Sequence, residues 1–286
     1  VNSRIIFKII SQLLLFEMIF MLGSSVVSLI YREDDVMAFL LSAAITTGAA
    51  LIARYLGRDA TNNLSTRDAY LVVTSAWTAF SVFGMLPYLI SGYITNITDA
   101  FFESMSGFTT TGATIFDDVE CLPHGMLFWR SLTQWIGGLG IVFFTIAVLP
   151  SLVGGNMKVF AAEATGPIKS KMHPRLSTTA KWIWSIYSLL TITCILSFHL
   201  AGMGWFDSVC YSMTTNATGG FAPHNESVAY FKSPLIEYIE ILFQFLAGIN
   251  FILLYTAIFK RKWKDMYRNS EFRLYVAIVT ISTIWI

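Results

Sequence analysis

Five runs of about 20 mostly apolar residues constrain this chain more than any other feature, because a helix of that length crosses a lipid bilayer. They are Ile5–Ile30, Val36–Ala53, Ala69–Leu89, Leu127–Leu149 and Trp182–Ala201. A sixth run, Leu235–Phe259, has two glutamates near its start, and a seventh begins near Leu274. Charged residues make up 13% of the chain, about half the share usual for a soluble domain. The sequence therefore predicts an all-α, polytopic membrane protein.

The basic residues predict on which side of the membrane each connection lies. Sixteen of the 19 lysines and arginines lie at the start of the chain, at Arg4 and Lys8, or in the connections 54–68, 153–181 and 260–273. Positive charge marks the cytoplasmic side of a membrane protein. We therefore expect a multi-pass protein of the plasma membrane with a cytoplasmic N-terminus. The net charge of +1 gives no support for a nucleic-acid partner.

Two connections on the opposite, outer side hold a further apolar stretch each. The stretches are Ala100–Phe108 and Trp205–Met213, and nine residues are too few to span a bilayer. That length is typical of a helix that enters the membrane and turns back inside it. A run rich in Thr, Gly, Ala and Asn follows each stretch. The order of span, half-helix, small polar loop and span therefore occurs twice.

An internal repeat relates these two units. A shift of 108 residues aligns the half-helices and the loops, and a further two-residue insertion aligns the spans that follow. The matched blocks are Asp99–Met105 with Asp207–Met213, Thr110–Ala113 with Thr218–Phe221, and Gln134–Gly140 with Gln244–Asn250. Three blocks in the same order indicate two pseudo-equivalent units that can face a common axis.

The chemistry of the repeat favours a cation pathway. Thr98, Asp99 and Asp207 stand at the half-helix starts, where they can cap free N–H groups. The opposite end of such a helix carries partial negative charge at membrane depth. Loop carbonyls there can replace the hydration shell of an ion. Gly112 and Gly220 permit the unusual backbone angles that such a loop needs.

The segments 106–114, 128–141 and 215–221 resemble the Trk/Ktr/HKT superfamily of potassium transporters, and the two spans before the first unit resemble its Trk branch. The resemblance implies a channel-like pore built from four such units in one polypeptide of the bacterial inner membrane. This chain has two complete units and the start of a third. The implied filter carbonyls are those of Thr110, Thr111, Gly112, Ala113, Thr218, Gly219, Gly220 and Phe221.

Glycine at both filter positions resembles the potassium-selective members. The resemblance therefore implies K⁺ as the transported ion, bound at Thr110, Thr111, Gly112, Thr218, Gly219 and Gly220, and no other cofactor. Uptake would be driven by the membrane potential. The implied segments are 1–56 (two accessory helices), 66–152 (first pore unit), 153–177 (cytoplasmic loop), 178–262 (second pore unit) and 270–286 (start of a third unit).

The resemblance also implies partners. The pore subunit of the Trk branch is a homodimer that sits on a ring of nucleotide-binding regulatory subunits. The basic loop Gly154–Thr178 and the segment Lys260–Arg268 are equal candidates for docking that ring. Contact with lipid headgroups is the simpler interpretation of both segments, because basic residues beside a membrane attract anionic lipids.

Two other functions would require particular residues in the membrane. A secondary transporter would couple the cation to H⁺ or Na⁺, and the intramembrane acids Glu17 or Glu103 would then matter. We expect Glu103 to be structural and Arg130 to pair with Glu103 or Asp118. An intramembrane enzyme would need a nucleophile–base pair or a metal set, and the sequence shows neither pattern. We therefore predict that the protein is not an enzyme.

The glycines of the matched spans have two interpretations. Gly137 and Gly138 in the first unit, and Gly248 in the second, can let helices approach closely. They can also let a helix bend beneath the loop. We favour close packing.

Overall fold

The computed structural model describes residues 2–60, 65–140 and 176–285. Within these ranges the chain forms helices and no strand, which confirms the predicted all-α class. The helices are α1 Ser3–Tyr31, α2 Val36–Leu56, α3 Thr66–Gly84, α4 Leu86–Ser91, α5 Ile97–Phe108, α6 His124–Gly138, α7 Leu176–Leu200, α8 Trp205–Ala217, a 3₁₀ turn Ser227–Phe231, α9 Pro234–Ala247, α10 Phe251–Ile258, α11 Trp263–Arg268 and α12 Ser270–Trp285.

Four helical stretches in the described part of the chain are long and apolar enough to cross a membrane. They are Ser3–Tyr31, Val36–Leu56, Tyr70–Ser91 and Lys181–Leu200. The third combines α3 and α4, which meet at Met85 just before Pro87. Four of the five long apolar runs thus form helices of spanning length, with ends shifted by a few residues.

The fourth and sixth apolar runs are interrupted, contrary to the expectation of continuous spans. In the sixth run, α9 ends at Ala247 and α10 begins at Phe251, at 100° to it. Asn250 causes the break, because its Oδ1 accepts a hydrogen bond from the Ile252 N–H and starts a new helix. In the fourth run, α6 ends at Gly138, and the remainder of that run from residue 141 lies outside the described residues.

The two short apolar stretches form the expected half-helices, α5 of 12 residues and α8 of 13. Their predicted caps are wrong. Asn96 caps α5, since its Oδ1 accepts from the Thr98 N–H at 2.9 Å. Gly204 precedes α8 and provides no side-chain cap. Asp99 and Asp207 lie in the first turns, where their charge still suits the positive helix end.

Helix α6 is central to the described fold, because it packs against both half-helices and against α1. Trp129 is fully buried, its ring lies edge-on to Phe39 and Phe108, and its Nε1–H donates to the Gly84 carbonyl at 3.1 Å. Glu33, in the turn between α1 and α2, accepts from the His124 N–H at 3.0 Å. Both accessory helices therefore brace the start of the central helix. The predicted loop 153–177 lies almost entirely outside the described residues.

Candidate functional site

The two half-helices end in the same hydrogen-bonded motif. After α5, the Thr110 N–H donates to the Gly107 carbonyl at 3.0 Å and the Thr111 N–H to Ser106 at 2.9 Å. After α8, the Thr218 N–H donates to Thr215 at 3.1 Å and the Gly219 N–H to Thr214 at 3.0 Å. This pair of bonds defines a Schellman helix end. It occurs at positions that differ by 108 residues, the shift of the sequence repeat.

Thr110 and Thr218 adopt the left-handed conformation that this motif requires. Their φ angles are 54° and 53°. Glycine is usual at such a place, and a residue with a Cβ costs about 1–2 kcal/mol there. A β-branched residue with positive φ is an outlier that surrounding structure must hold. Sequence reasoning did not identify this strain, because threonine normally disfavours the conformation.

The expected filter glycines also have left-handed angles, with φ 76° at Gly112 and 87° at Gly220. This confirms that both positions use the freedom of glycine. Their surroundings differ. A Cβ added to Gly112 would collide with the Gly219 carbonyl oxygen, whereas a Cβ added to Gly220 would meet no atom within 4 Å. The two loops therefore touch, and Gly112 lies at their contact.

A buried carboxylate holds the first loop. Glu103 of α5 accepts hydrogen bonds from the Thr114 hydroxyl at 3.0 Å and from the Ile115 N–H at 3.0 Å. Arg130 Nε donates to Glu103 Oε1 at 3.0 Å, and both side chains are at most 2% exposed. The predicted pairing of Arg130 is thus confirmed with Glu103. The Ser106 hydroxyl also donates to the Ala113 carbonyl at 2.6 Å, which occupies one of that oxygen's two lone pairs.

Arg130 reaches the second loop as well. Its Nη1 donates to the Ala222 carbonyl at 3.3 Å, and its guanidinium lies 4.2 Å from the centre of the Phe221 ring. Its Nη2 donates to the Thr114 hydroxyl at 3.1 Å. One buried cation therefore contacts the chain just after both loops. Sequence analysis predicted its partner but missed its role as a bridge.

Gln134 supports the second loop one helical turn further along α6. Its Oε1 accepts from the buried Phe221 N–H at 3.1 Å. A Cβ on Gly219 would collide with the Gln134 carboxamide, so only glycine fits at position 219. Gln134 is fully buried. Its place in a matched block was visible in the sequence, but its contact with the other unit was not.

The paired glycines of α6 pack against the half-helix ends. A Cβ on Gly137 would collide with the Phe108 carbonyl at the end of α5. A Cβ on Gly138 would lie 2.8 Å from the Ala217 Cα at the end of α8. The packing interpretation is therefore confirmed for this pair. Gly248 lies where α9 ends, and the Tyr275 ring occupies the space beside it.

The outer ends of the two loops are also joined. The Val119 N–H donates to Asn225 Oδ1 at 2.9 Å, and Asn225 Nδ2 donates to Asp118 Oδ1 at 2.8 Å. Nearby, His224 Nε2 lies 3.4 Å from Asp207 Oδ1. These contacts link the segment after the first loop with the segment after the second.

Glu17 lies apart from the network of Glu103 and Arg130. It is fully buried in α1, and neither carboxylate oxygen has a hydrogen-bond partner among the described residues. A methyl group on Gly84 would lie 3.1 Å from Glu17 Oε1 and 2.7 Å from the Ser104 hydroxyl. Glu17 therefore faces the half-helix α5 across a glycine.

Comparison with known proteins agrees with this architecture. The TrkH family of cation transport proteins matches residues 35–286. The Trk system potassium uptake protein TrkH of Halomonas elongata is 37% identical over 293 residues, covering 100% of this chain and 61% of that protein. TrkH of Salmonella typhimurium is 39% identical over 279 residues, covering 97% of this chain and 58% of that protein. This chain thus spans about three fifths of the length of these relatives.

A solved structure has the same fold. The potassium transporter TrkH from Vibrio parahaemolyticus superposes with a TM-score of 0.85 at 34% identity, covering 98% of this chain and 57% of that one. The family match extends over most of the sequence and includes both loops, α6 and all of the second unit. The chain therefore belongs to the TrkH family of cation transport proteins.

Proposed function

We propose that this protein takes up K⁺ through a channel-like pore, and that the loops at 110–113 and 218–221 form two quarters of its selectivity filter. The observation that carries the proposal is the same hydrogen-bonded turn and left-handed positions in two loops in contact, each at the end of a half-helix. The names of the relatives support potassium uptake. They are names of transporters, so we propose no enzymatic activity.

The chemistry needs no covalent step. Loop carbonyls replace the water around the ion, and the negative ends of α5 and α8 favour a cation beside them. A membrane potential contributes about 2.3 kcal/mol per unit charge for each 100 mV, which is roughly fiftyfold accumulation. Glycine at 112 and 220 supports potassium as the preferred ion.

The whole assembly is part of the same proposal. We propose four pore units, a homodimer, a cytosolic ring of nucleotide-binding subunits as regulator, and an inner-membrane location with a cytoplasmic N-terminus. Of the two docking segments, Gly154–Thr178 lies mostly outside the described residues. The segment Lys260–Arg268 overlaps α11 and is largely exposed, which leaves its basic side chains accessible to a partner or to lipid.

Uptake of ⁸⁶Rb⁺ tests the proposal. The product of the complete gene is reconstituted in vesicles with an inside-negative potential, and unlabelled K⁺ or Na⁺ is added as competitor. Block by K⁺ and not by Na⁺ is expected. Equal block by both ions would contradict potassium selectivity, and no uptake with or without the regulator would contradict the proposed pore.

Gly220→Ser is the cleaner test of the filter assignment, because its Cβ meets no atom within 4 Å while its φ of 87° still disfavours any side chain. We expect this variant to lose preference for K⁺ over Na⁺ more than it loses total flux. Gly112→Ser should have the same effect on selectivity with a greater loss of flux. Wild-type selectivity in both variants would show that the loops are not the filter.

One observation favours a second candidate, a transporter coupled to H⁺ or Na⁺. Glu17 is a fully buried acid without a hydrogen-bond partner among the described residues, and such acids in membrane segments often serve ion pathways. Coupling predicts that uptake depends on pH or on Na⁺ and that Glu17→Gln abolishes this dependence. A pore predicts that the Glu17→Gln variant takes up K⁺ as the wild type does.

A further inference from the structure

One face of α6 contacts both filter loops and both half-helices. Its residues are Arg130, Gln134, Gly137 and Gly138, spaced so that they follow one another along a single helix face. Arg130 contacts the residues after both loops, and the two glycines contact the ends of α5 and α8. This face of α6 therefore contacts both loops and the ends of both half-helices.

Gln134 is the member of this face closest to the filter residues themselves. Its Oε1 accepts from the Phe221 N–H at 3.1 Å. A Cβ on Gly112 would lie 3.8 Å from its Nε2, and a Cβ on Gly219 would strike its carboxamide. The side chain thus lies behind the point where Gly112 meets the Gly219 carbonyl. A change in its shape or bonding would alter the contact between the loops.

The bonding of Gln134 is one-sided. The Oε1 atom is satisfied, but the buried Nε2 finds no acceptor among the described residues. An unsatisfied buried donor has a free-energy cost, which offsets part of the stability that the Oε1 hydrogen bond contributes. The acceptor oxygen is therefore the feature of this side chain that the structure uses. It fixes one backbone N–H of the second loop from a helix of the first unit.

The sequence repeat shows that this support crosses between units. The counterpart of Gln134 is Gln244 on α9. Gln244 faces an open groove of about 570 Å³, which is also lined by the filter residue Thr218 and by Gly248. Its Nε2 donates to Glu240, one turn earlier on the same helix. Gln134, in contrast, reaches from the first unit to the loop of the second.

We propose that Gln134 is a positioning residue for ion selectivity, and that its carboxamide oxygen sets the position of the second filter loop against the first. This inference rests on the proposed potassium filter. Selectivity depends on the spacing of carbonyls around the ion, whereas conduction tolerates more variation. Loss of the acceptor should therefore change the preference between K⁺ and Na⁺ before it changes the total flux.

Two variants distinguish the effect of the acceptor oxygen from the effect of side-chain volume. Gln134→Met keeps a similar volume and removes the amide oxygen, whereas Gln134→Glu keeps an acceptor oxygen in either ionisation state. Gln12→Met is the matched control, because Gln12 lies in the accessory helix α1. Each variant of the complete gene product is assayed for ⁸⁶Rb⁺ uptake with K⁺ or Na⁺ as competitor.

We expect Gln134→Met to narrow the ratio of Na⁺ to K⁺ half-inhibiting concentrations by about three- to tenfold, as for loss of one hydrogen bond. Gln134→Glu and Gln12→Met should keep the wild-type ratio within about twofold. Wild-type selectivity in Gln134→Met would overturn the inference and leave the filter proposal standing. Equal losses in the Met and Glu variants would also overturn it, since packing rather than the acceptor would then control selectivity.

The wild-type protein provides two further outcomes. If it shows no preference between K⁺ and Na⁺, the proposed function fails, and this inference fails with it. Hydrogen exchange of the Phe221 amide is a second measurement, and it does not depend on how much of a variant protein the cells produce. The amide should exchange slowly in the wild type, and fast exchange in the folded protein would overturn the role of Gln134.

Discussion

The loops at 110–113 and 218–221 share their hydrogen bonds and left-handed positions but have different supports. Each begins with a left-handed threonine and has a left-handed glycine two residues later. The first loop is held by its own half-helix through the buried Glu103–Arg130 pair. The second loop is held by side chains of the first unit, Arg130 and Gln134. Local hydrogen bonds thus determine the shape of each loop, whereas distant side chains determine where the second loop lies.

Of the two units, only the first has this buried ion pair among the described residues. In the repeat alignment, Tyr211 replaces Glu103 and Glu240 replaces Arg130. Neither replacement provides a cation, so the second unit has no equivalent pair. The two units therefore diverged in their supporting side chains while keeping the loop conformation. Four experiments test whether these different supports determine the stability and position of the two loops.

The largest effect is expected from Arg130→Met. Removal of the cation leaves Glu103 buried and unpaired, and breaking a buried pair in this way costs about 3–5 kcal/mol. Both loops should also lose the hydrogen bonds that Arg130 donates to Thr114 and Ala222. Thermal unfolding in detergent, followed by tryptophan fluorescence, measures the loss.

The double variant Arg130→Met with Glu103→Gln is the control for that experiment. It removes both charges, so a substantial part of the lost stability should return. If the double variant is as unstable as Arg130→Met, the contacts of Arg130 with Ala222 and Thr114 outweigh the ion pair. That result would contradict the assignment of the ion pair as the main support of the first loop.

The second largest effect is expected to differ between the two left-handed loop glycines, Gly112 and Gly220. Gly112→Ala adds a methyl group where the Gly219 carbonyl lies, and its left-handed φ adds strain, for a total of about 2–4 kcal/mol. Gly220→Ala meets no atom within 4 Å and should cost only about 1–2 kcal/mol. Unfolding midpoints of the two variants in one detergent give the comparison. Equal midpoints would contradict the contact between the loops at Gly112.

A smaller effect is expected from Asn225→Ala. This residue of the second unit accepts from the Val119 N–H and donates to Asp118 of the first unit, near the surface. The variant should lose about 1 kcal/mol, and hydrogen exchange should quicken at Val119. The selectivity of ⁸⁶Rb⁺ uptake should not change. A change in selectivity would show that the outer contacts, as well as α6, position the loops.

The smallest effect is expected from Tyr211→Phe, which changes the counterpart of Glu103. The hydroxyl forms no ion pair, and the ring keeps its packing against Phe231. The free energy of unfolding should change by less than about 1 kcal/mol, because surrounding contacts of the ring are retained. A loss of stability as large as that of Arg130→Met would show that the second unit depends on its own buried polar group. The two units would then not differ in how their loops are supported.

Much of the site was predictable from local pattern. The 108-residue repeat placed the half-helices and matched Gly112 with Gly220, and both glycines have the positive φ that such positions indicated. The break between α9 and α10 corresponds to the less favoured interpretation of Gly248, a bend beneath the loop, because an apolar run alone does not decide between bending and close packing. Nor did the pattern reveal the left-handed Thr110 and Thr218, since residue preference argues against that conformation.

The sequence by itself determined the class of protein, four helices of spanning length, the two half-helices and the loops that follow them, because apolar length and glycine placement act within short segments. Only the tertiary structure decided that Arg130 and Gln134 reach across to the second loop and that Gly112 touches Gly219. Those contacts join residues about 90 to 110 positions apart, as their numbering shows. Side-chain contacts over such separations depend on how whole helices pack, which no local pattern encodes.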